Sequence, residues 1–418
     1  MGFVSTFCPI SGCSPIAGEA LATDIVVEDA LAELGTRGFS PVNFMSAIED
    51  LESESKKNSS LTVIGCISQE GRQVFEEGFG GESELRASFF NGGVLTTSAA
   101  DSDLLCREHI DSVRIVSGCF AGDMFEFGSV QHPTLLNANG QEQDYLVSYG
   151  AQIMVLSWAL PILYLATESR IDARRLWKFS MKLGHNMPHD HYVCPGIDYG
   201  AITNSIDQFL NPLPNVDRDG AVEEYLETIE RESANAEEVK QRLIDDGGFW
   251  CWMAADAFPL DCADDHAHLP EPILIEQISV SEPRNQIDRL PFDVVSHIAS
   301  FLPLSSLVSL ASTTRPLRHL LFGSASARSQ TMRKWMLGAG QYWLPVEVNL
   351  GTAAPSDGSV PLVKDLPNPE IALLELTRED DDWWHYVRRC AKSGSMRNRK
   401  RVWEVARQIE AKADELGV

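Results

Sequence analysis

The chain lacks an apolar run long enough to cross a bilayer. Its longest, Ile153 to Ala166, is broken by Ser157 and Pro161 and followed by Glu168 and Arg170. A span needs roughly 20 residues, so this segment reads as a buried helix and no membrane contact is expected. The first residues, Met1-Gly-Phe-Val-Ser-Thr-Phe-Cys8, carry neither a basic leader nor an apolar core and do not read as a secretory signal. Thr6 stands where a myristoylation signal wants Ser or Thr, but Phe3 directly after Gly2 makes a poor match. Positive charge is scarce: Lys+Arg 34 against Asp+Glu 60 gives a formal net charge of −26. That excludes broad nucleic-acid binding, which needs basic surface to neutralise phosphates. Patterned cysteine is missing as well. Nine cysteines, an odd number without regular spacing, imply reduced thiols and a cytoplasmic or nuclear protein.

Catalytic signatures are equally thin. There is no Gly-x-Ser-x-Gly elbow and no local Cys/His signature. Neither Gly78-Phe-Gly-Gly81 nor Asn91-Gly-Gly93 is followed by the Gly-Lys-Ser/Thr of a phosphate loop, so both read as turns between strands. No fixed-period repeat is present. The chain is therefore not expected to be an enzyme, and no cofactor is implied.

What is present is ordinary globular composition, 44% hydrophobic and 22% charged, in 418 residues with room for two or three domains. Asp24 can cap a helix carrying Ile25, Val26, Ala30, Leu31 and Leu34, with Gly35 as its stop. Ser40-Pro41 offers a second helix start reaching Leu51, followed by a polar run from Glu49 to Ser60. Between about 61 and 130 the pattern changes to short β-branched or aromatic runs separated by glycines: Leu61 to Ile67, Val94 to Thr97, Val113 to Val116, and Phe125 to Phe127. Helix returns with Asp172 to Leu183, whose Leu176, Phe179 and Leu183 share one side, and Gly184 ends it. Ala221 to Asp246 is strongly acidic, with one apolar ridge of Tyr225, Leu226, Ile229, Val239, Leu243 and Ile244. It reads as a solvated helix or helix pair, with a surface for a basic partner as the alternative. Gly247-Gly-Phe-Trp-Cys-Trp-Met253 reads as a core anchor, and the Asp- and Pro-rich residues 251–286 as a linker.

The stretch from Ile287 to Phe322 organises the rest. Pro291 suits a first helical turn, because its missing N–H needs no partner there. Val294, Val295, Ile298, Phe301 and Leu302 recur at spacings of three and four, and Pro303 ends that helix. Leu304, Leu307, Val308, Leu310 and Ala311 make a second stripe, and Pro316 precedes a third of Leu317, Leu320 and Leu321. Three helices this short cannot bury so much apolar surface among themselves.

In order and spacing these residues resemble an F-box: Leu290-Pro291, the acidic Asp293, then Ile298 and Leu302, then the Leu307-x-x-Leu310 pair. The sequence departs from the family pattern at Ser306, where an Asp usually stands, at Thr313-Thr-Arg315, and at Leu317, where the family has Trp or Phe. The resemblance implies binding to the adaptor subunit of an SCF-type ubiquitin ligase, and through it to cullin, while another part of the chain recruits an unidentified protein substrate. Within 287–323 the Leu310-Ala-Ser312 run, and outside it Asp198-Tyr-Gly200 and Met396-Arg-Asn-Arg399, resemble basidiomycete F-box proteins. Implied partner contacts are Leu290, Pro291, Val294, Ile298, Phe301, Leu302, Leu304, Leu307, Leu310 and Leu317, some of which must serve the local core. A scaffold that binds the adaptor without causing degradation is the alternative of the same class.

His185, His189, His191 and Cys194 fall within ten residues and are of types that zinc accepts, but their spacing matches no standard module. A metal-dependent enzyme built on them is the competing reading. Asp264-Asp-His-Ala-His268 reads as a solvated turn in the linker.

After the F-box, Ser324 to Leu337 reads as a helix with Met332, Trp335 and Met336 inward, and 351–369 as loop. Asp380-Asp-Asp382 opens a helix where the dipole favours acids. The basic run Arg397 to Arg401 reads as a solvated helix start, with a nuclear import signal or an acidic-surface contact as alternatives. The expected fold class is α-rich α+β: a mixed domain with short strands over 1–250, a linker over 251–286, a three-helix F-box over 287–323, and a helical C-terminal region over 324–418.

Overall fold

The computed structural model describes residues 8–13, 25–57, 61–66, 107–111, 113–119, 148–149, 152–184, 194, 196–200, 221–245, 249–255, 285–349, 370–373 and 383–418. It is helix-rich with few strands, as composition and periodicity imply. These residues fall into two units: residues 1–256, 349–370 and 401–418 in the first, and 257–348 and 371–400 in the second. Residues 287–348 and 371–400 share the second unit.

In the first unit, α1 (Ile25–Thr36) and α2 (Val42–Lys57) pack against the acidic pair α6 (Ala221–Glu232) and α7 (Ala236–Asp245). Their common core holds Leu34, Phe44, Ala47, Leu226, Val239 and Leu243, with Phe249 from the turn that follows. This is the ridge read from the sequence, buried against α1 and α2 while Glu224, Glu232, Glu237, Glu238 and Asp245 are exposed. Glu230 does more than solvate. Its carboxylate accepts the backbone N–H groups of Asn43 (2.9 Å) and Phe44 (2.8 Å), satisfying donors that the first turn of α2 leaves without helical partners. α1 does not stop at Gly35. It runs to Thr36, and the left-handed residue is Gly38 (φ +77°), beyond which the Phe39 N–H returns to the Leu34 carbonyl at 2.9 Å. Asp24 lies outside the described residues.

The strands β1 (Leu61–Cys66), β2 (Val113–Cys119), β3 (Ser148–Tyr149) and β4 (Gln152–Leu156) form an antiparallel sheet in the order β2-β1-β4-β3. Between β1 and β2 lies the short helix α3 (Arg107–Asp111). The run from Ile153 to Ala166, expected to be one buried helix, is instead β4 followed by α4 (Ala159–Ala166). Apolar runs this short fit either state by periodicity. Here the β-branched Ile153 and Val155 pair across from Ile64 and Thr62, which decides for strand. α5 (Ala173–Gly184), capped by Asp172 accepting from the Arg175 N–H at 2.7 Å, covers the sheet with the buried Leu176, Trp177 and Phe179. The expected strands at 94–97 and 125–127 and the glycine turns at 78–81 and 91–93 lie outside the described residues. So do the linker residues 256–284 and the loop 351–369.

The second unit begins with a 3₁₀ turn, Ile287–Arg289, then α8 (Phe292–Ser300), α9 (Leu304–Thr313), α10 (Arg315–Phe322) and α11 (Ala325–Leu337). β5 (Val346–Asn349) and β6 (Glu370–Leu373) form a two-stranded sheet. α12 (Trp383–Lys392) follows, and then α13 (Gly394–Leu416), whose residues to 400 belong to this unit and the rest to the first. Met332, Trp335 and Met336 are fully buried, as their spacing implies. Aromatics knit this core: Trp335 meets Trp343 edge-on at 5.6 Å, the Trp343 indole donates to the Met396 carbonyl (3.0 Å), and the Tyr386 hydroxyl donates to the Trp343 carbonyl (2.9 Å).

The basic run is not a solvated helix start. α13 begins before it, Asn398 is 0% exposed, and Arg399 and Arg401 are 2% and 6% exposed. Arg399 donates to the Tyr342 carbonyl at 2.6 Å. An import signal needs these cations in solvent, and half of the run is used for packing. No described helix is long and apolar enough to cross a membrane.

Candidate functional site

The three short helices of 287–323 are shaped by prolines and caps. Leu290 and Pro291 are extended, and Pro291 occupies the N-cap of α8, one position before the first turn expected for it. Its carbonyl accepts from the Val294 and Val295 N–H groups, both at 3.1 Å. Pro303 does the same for α9, accepting from Leu307 N–H at 2.9 Å. Thr314 caps α10 by accepting from the Leu317 N–H (3.3 Å) while its hydroxyl donates to Asp288 at 2.5 Å. That pair ties the turn before α8 to the start of α10, so the three helices keep one arrangement.

α11 fixes the other side of α8. Lys334 donates to Asp293 (3.1 Å) and to the Ser296 hydroxyl (2.9 Å), and lies over the Phe292 ring. The Trp335 indole donates to the Leu302 carbonyl at 2.9 Å, and the Ala339 N–H to the Ser300 carbonyl at 2.7 Å.

The result is an α8 that is apolar on two faces. Inward, Val295 and Ala299 are buried with Leu307, Ala311, Leu317 and Leu321. Outward, Val294 (43%), Ile298 (43%) and Phe301 (68%) are exposed at spacings of four and three, and on α9 Val308 is 44% exposed. The His297 ring meets Phe301 edge-on at 5.0 Å, holding the most exposed aromatic in place. Among the ten residues expected to contact a partner, Pro291, Val294, Ile298 and Phe301 are exposed. Leu290, Leu302, Leu304 and Leu310 are half-buried, and Leu307 and Leu317 are fully buried in the unit's own core.

A second cluster lies in the first unit. Cys8 to Cys13 form a tight turn closed by Cys8 N–H donating to the Cys13 carbonyl (3.0 Å), with Ser11 N–H on the Cys8 sulfur (3.4 Å). The Tyr199 hydroxyl donates to the Pro9 carbonyl (2.7 Å). Arg401 donates to the carbonyls of Ser11 (2.6 Å), Tyr199 (3.1 Å) and Cys251 (3.4 Å). Cys194 is buried beside Tyr199, and burial pushes its thiol up to about 12, while Cys13 and Tyr199 are also raised by burial. These thiols stay protonated near neutrality, which suits packing and not nucleophilic attack. The convergence of 8–13, 194–200, 251 and 401 has no signal in sequence beyond the separate short motifs. His185, His189 and His191, and the Asp264 to His268 group, lie outside the described residues. Among the described residues no group of three or more His, Cys, Asp or Glu side chains is arranged to hold a metal ion.

Comparison with family models, with curated proteins and with solved structures finds no match for this chain.

Proposed function

We propose that this protein is an F-box-type substrate-recruiting subunit, docking on the adaptor of an SCF-type ubiquitin ligase and holding its substrate elsewhere. The observation that carries the reading is the outward row Val294, Ile298 and Phe301 along α8 and its C-cap, opposite an inward row that is already packed. A water-facing helix normally turns charged residues outward; α8 turns apolar ones, the pattern of a helix that packs into a second protein's groove. The partner's groove would be apolar, with a polar rim meeting Asp293 and His297.

Covering the remaining exposed area of three such side chains is worth about 1 kcal/mol each. A micromolar complex requires about 8 kcal/mol net of the entropy cost of association, so these three side chains supply less than half of the gross gain needed. The half-buried Leu290, Leu302, Leu304 and Leu310 would supply part of the remainder. Substrate would be held by the first unit, whose size and outward-facing acids on α6 and α7 suit a basic protein segment. Ubiquitin transfer takes place on other subunits, so this chain needs no catalytic residue.

The test is binding of the full chain to purified adaptor, comparing wild type with Val294→Asp/Ile298→Asp. Loss of binding by a double variant with unchanged thermal unfolding supports the reading. A folded wild-type chain that fails to bind refutes it.

A further inference from the structure

We propose that α10 and α12 carry a docking track for an extended acidic segment of a partner protein, one with carboxylates at both ends and an apolar side chain between them. This does not depend on the adaptor reading. The described residues of the second unit hold twelve Lys and Arg against three Asp and Glu, in a chain whose totals are 34 and 60. Of those three acids, Asp288 accepts from Thr314 and Asp293 pairs with Lys334. This part of an acidic chain therefore presents surplus positive charge.

Part of that surplus stands in line. Arg315, Arg318 and Phe322 follow one another at spacings of three and four along α10, and Trp384, Arg388 and Lys392 at spacings of four along α12. Such spacings put each set on one helical face. The two rows meet where the Phe322 and Trp384 rings lie 5.0 Å apart. From that contact α10 runs back about 10 Å to Arg315, and α12 runs on about 12 Å to Lys392. All four cations are exposed and Trp384 is half-buried. Among the described residues no ion pair or side-chain hydrogen bond engages any of the four.

Helix stability does not account for the placement. Lys392, in the last turn of α12, suits the helix dipole, but Arg315 and Arg318 open α10, where the dipole disfavours cations and the first turn holds no acid. What their placement suits is an anion. Planar guanidinium groups take carboxylates bidentately, and the indole between the two cation pairs offers an apolar contact. A long polyphosphate chain fits less well, because it would run past four cations into the field of a chain with a net charge of −26.

The experiment follows the fluorescence anisotropy of a labelled peptide, a Leu-Phe pair flanked on each side by glutamates, titrated with the full chain at low salt. Arg315→Glu/Arg318→Glu and Arg388→Glu/Lys392→Glu are each expected to weaken binding about tenfold or more. The charge-matched control Arg37→Glu/Arg107→Glu, at exposed sites of the first unit, should leave it unchanged. Each variant must unfold at the wild-type temperature, and the corresponding Gln variant replaces any that does not. No binding by wild type, equal loss in the control, or loss from only one of the two rows overturns the proposal. Tighter binding of a single-stranded oligonucleotide of equal charge also overturns it and makes the track a nucleic-acid site.

Discussion

Gly12 shows how one residue can serve a whole cluster. Its φ is +73°, a region that side chains rarely adopt, and a Cβ there would lie 2.6 Å from the Tyr199 ring. Two penalties coincide, one of backbone strain and one of overlap, on the turn that brings Cys8 and Cys13 to Tyr199 and Arg401. Gly12→Ala is expected to destabilise the first unit by about 2 kcal/mol. Chemical denaturation checks this, and an unchanged midpoint would show that Tyr199 can move aside. Gly35 makes the opposite point. Its place in the sequence suits a helix stop, yet it sits inside α1, and Gly38 takes the left-handed conformation three residues later. A glycine signals that a positive φ is affordable; where the chain uses it depends on which neighbour packs first.

At the scale of elements, the three helices of 287–323 are each too short to be stable alone. Caps and cross-ties hold them. Thr314 does both, starting α10 and reaching Asp288 across the bundle. Thr314→Ala should cost about 1 kcal/mol from the lost cap, and the lost tie to Asp288 should loosen the turn before α8. Hydrogen exchange of the Leu317 amide and of residues 287–290 would report each loss separately; protection equal to wild type at 287–290 would show the tie to be dispensable. Val294, Ile298 and Phe301 behave differently. They are exposed, so Phe301→Ala should leave folding stability within about 0.5 kcal/mol while weakening the proposed adaptor binding roughly tenfold.

For the whole molecule, the buried hydroxyl and thiol groups of the first unit imply sensitivity to alkali. The Cys194 thiol is raised from 9.0 to about 12, so its acidity is weaker in the folded than in the unfolded chain. The associated stability is fully present below pH 9, where both states keep the proton. It is lost progressively as pH rises from there toward 12, because the unfolded chain releases a proton that the folded one retains. Tyr164 and Tyr199, also raised by burial, act in the same direction. The unfolding temperature should therefore fall between pH 9 and pH 11, more steeply in wild type than in Cys194→Ala. Equal slopes in the two would mean that Cys194 is already accessible to solvent.

The amino-acid sequence determined the helices with strong apolar periodicity and clear caps, among them α5, α6, α7 and α11, because a stripe at spacings of three and four needs only its own residues to be recognised. It determined equally that residues 287–323 carry more apolar surface than three short helices can hide. It could not say which of those residues face out. Val294 and Val295 are neighbours of the same type, and only the packing of α11 along α8 buries the second and leaves the first exposed. Tertiary pairing also decided that 152–156 is a strand, since its partner β1 lies about ninety residues away in the chain. The basic run at 397–401 departs from its expected solvated state for the same reason. Charge is a property of the residue, but burial is a property of what comes to lie against it, and for Arg399 and Arg401 those neighbours are Tyr342, Ser11, Tyr199 and Cys251.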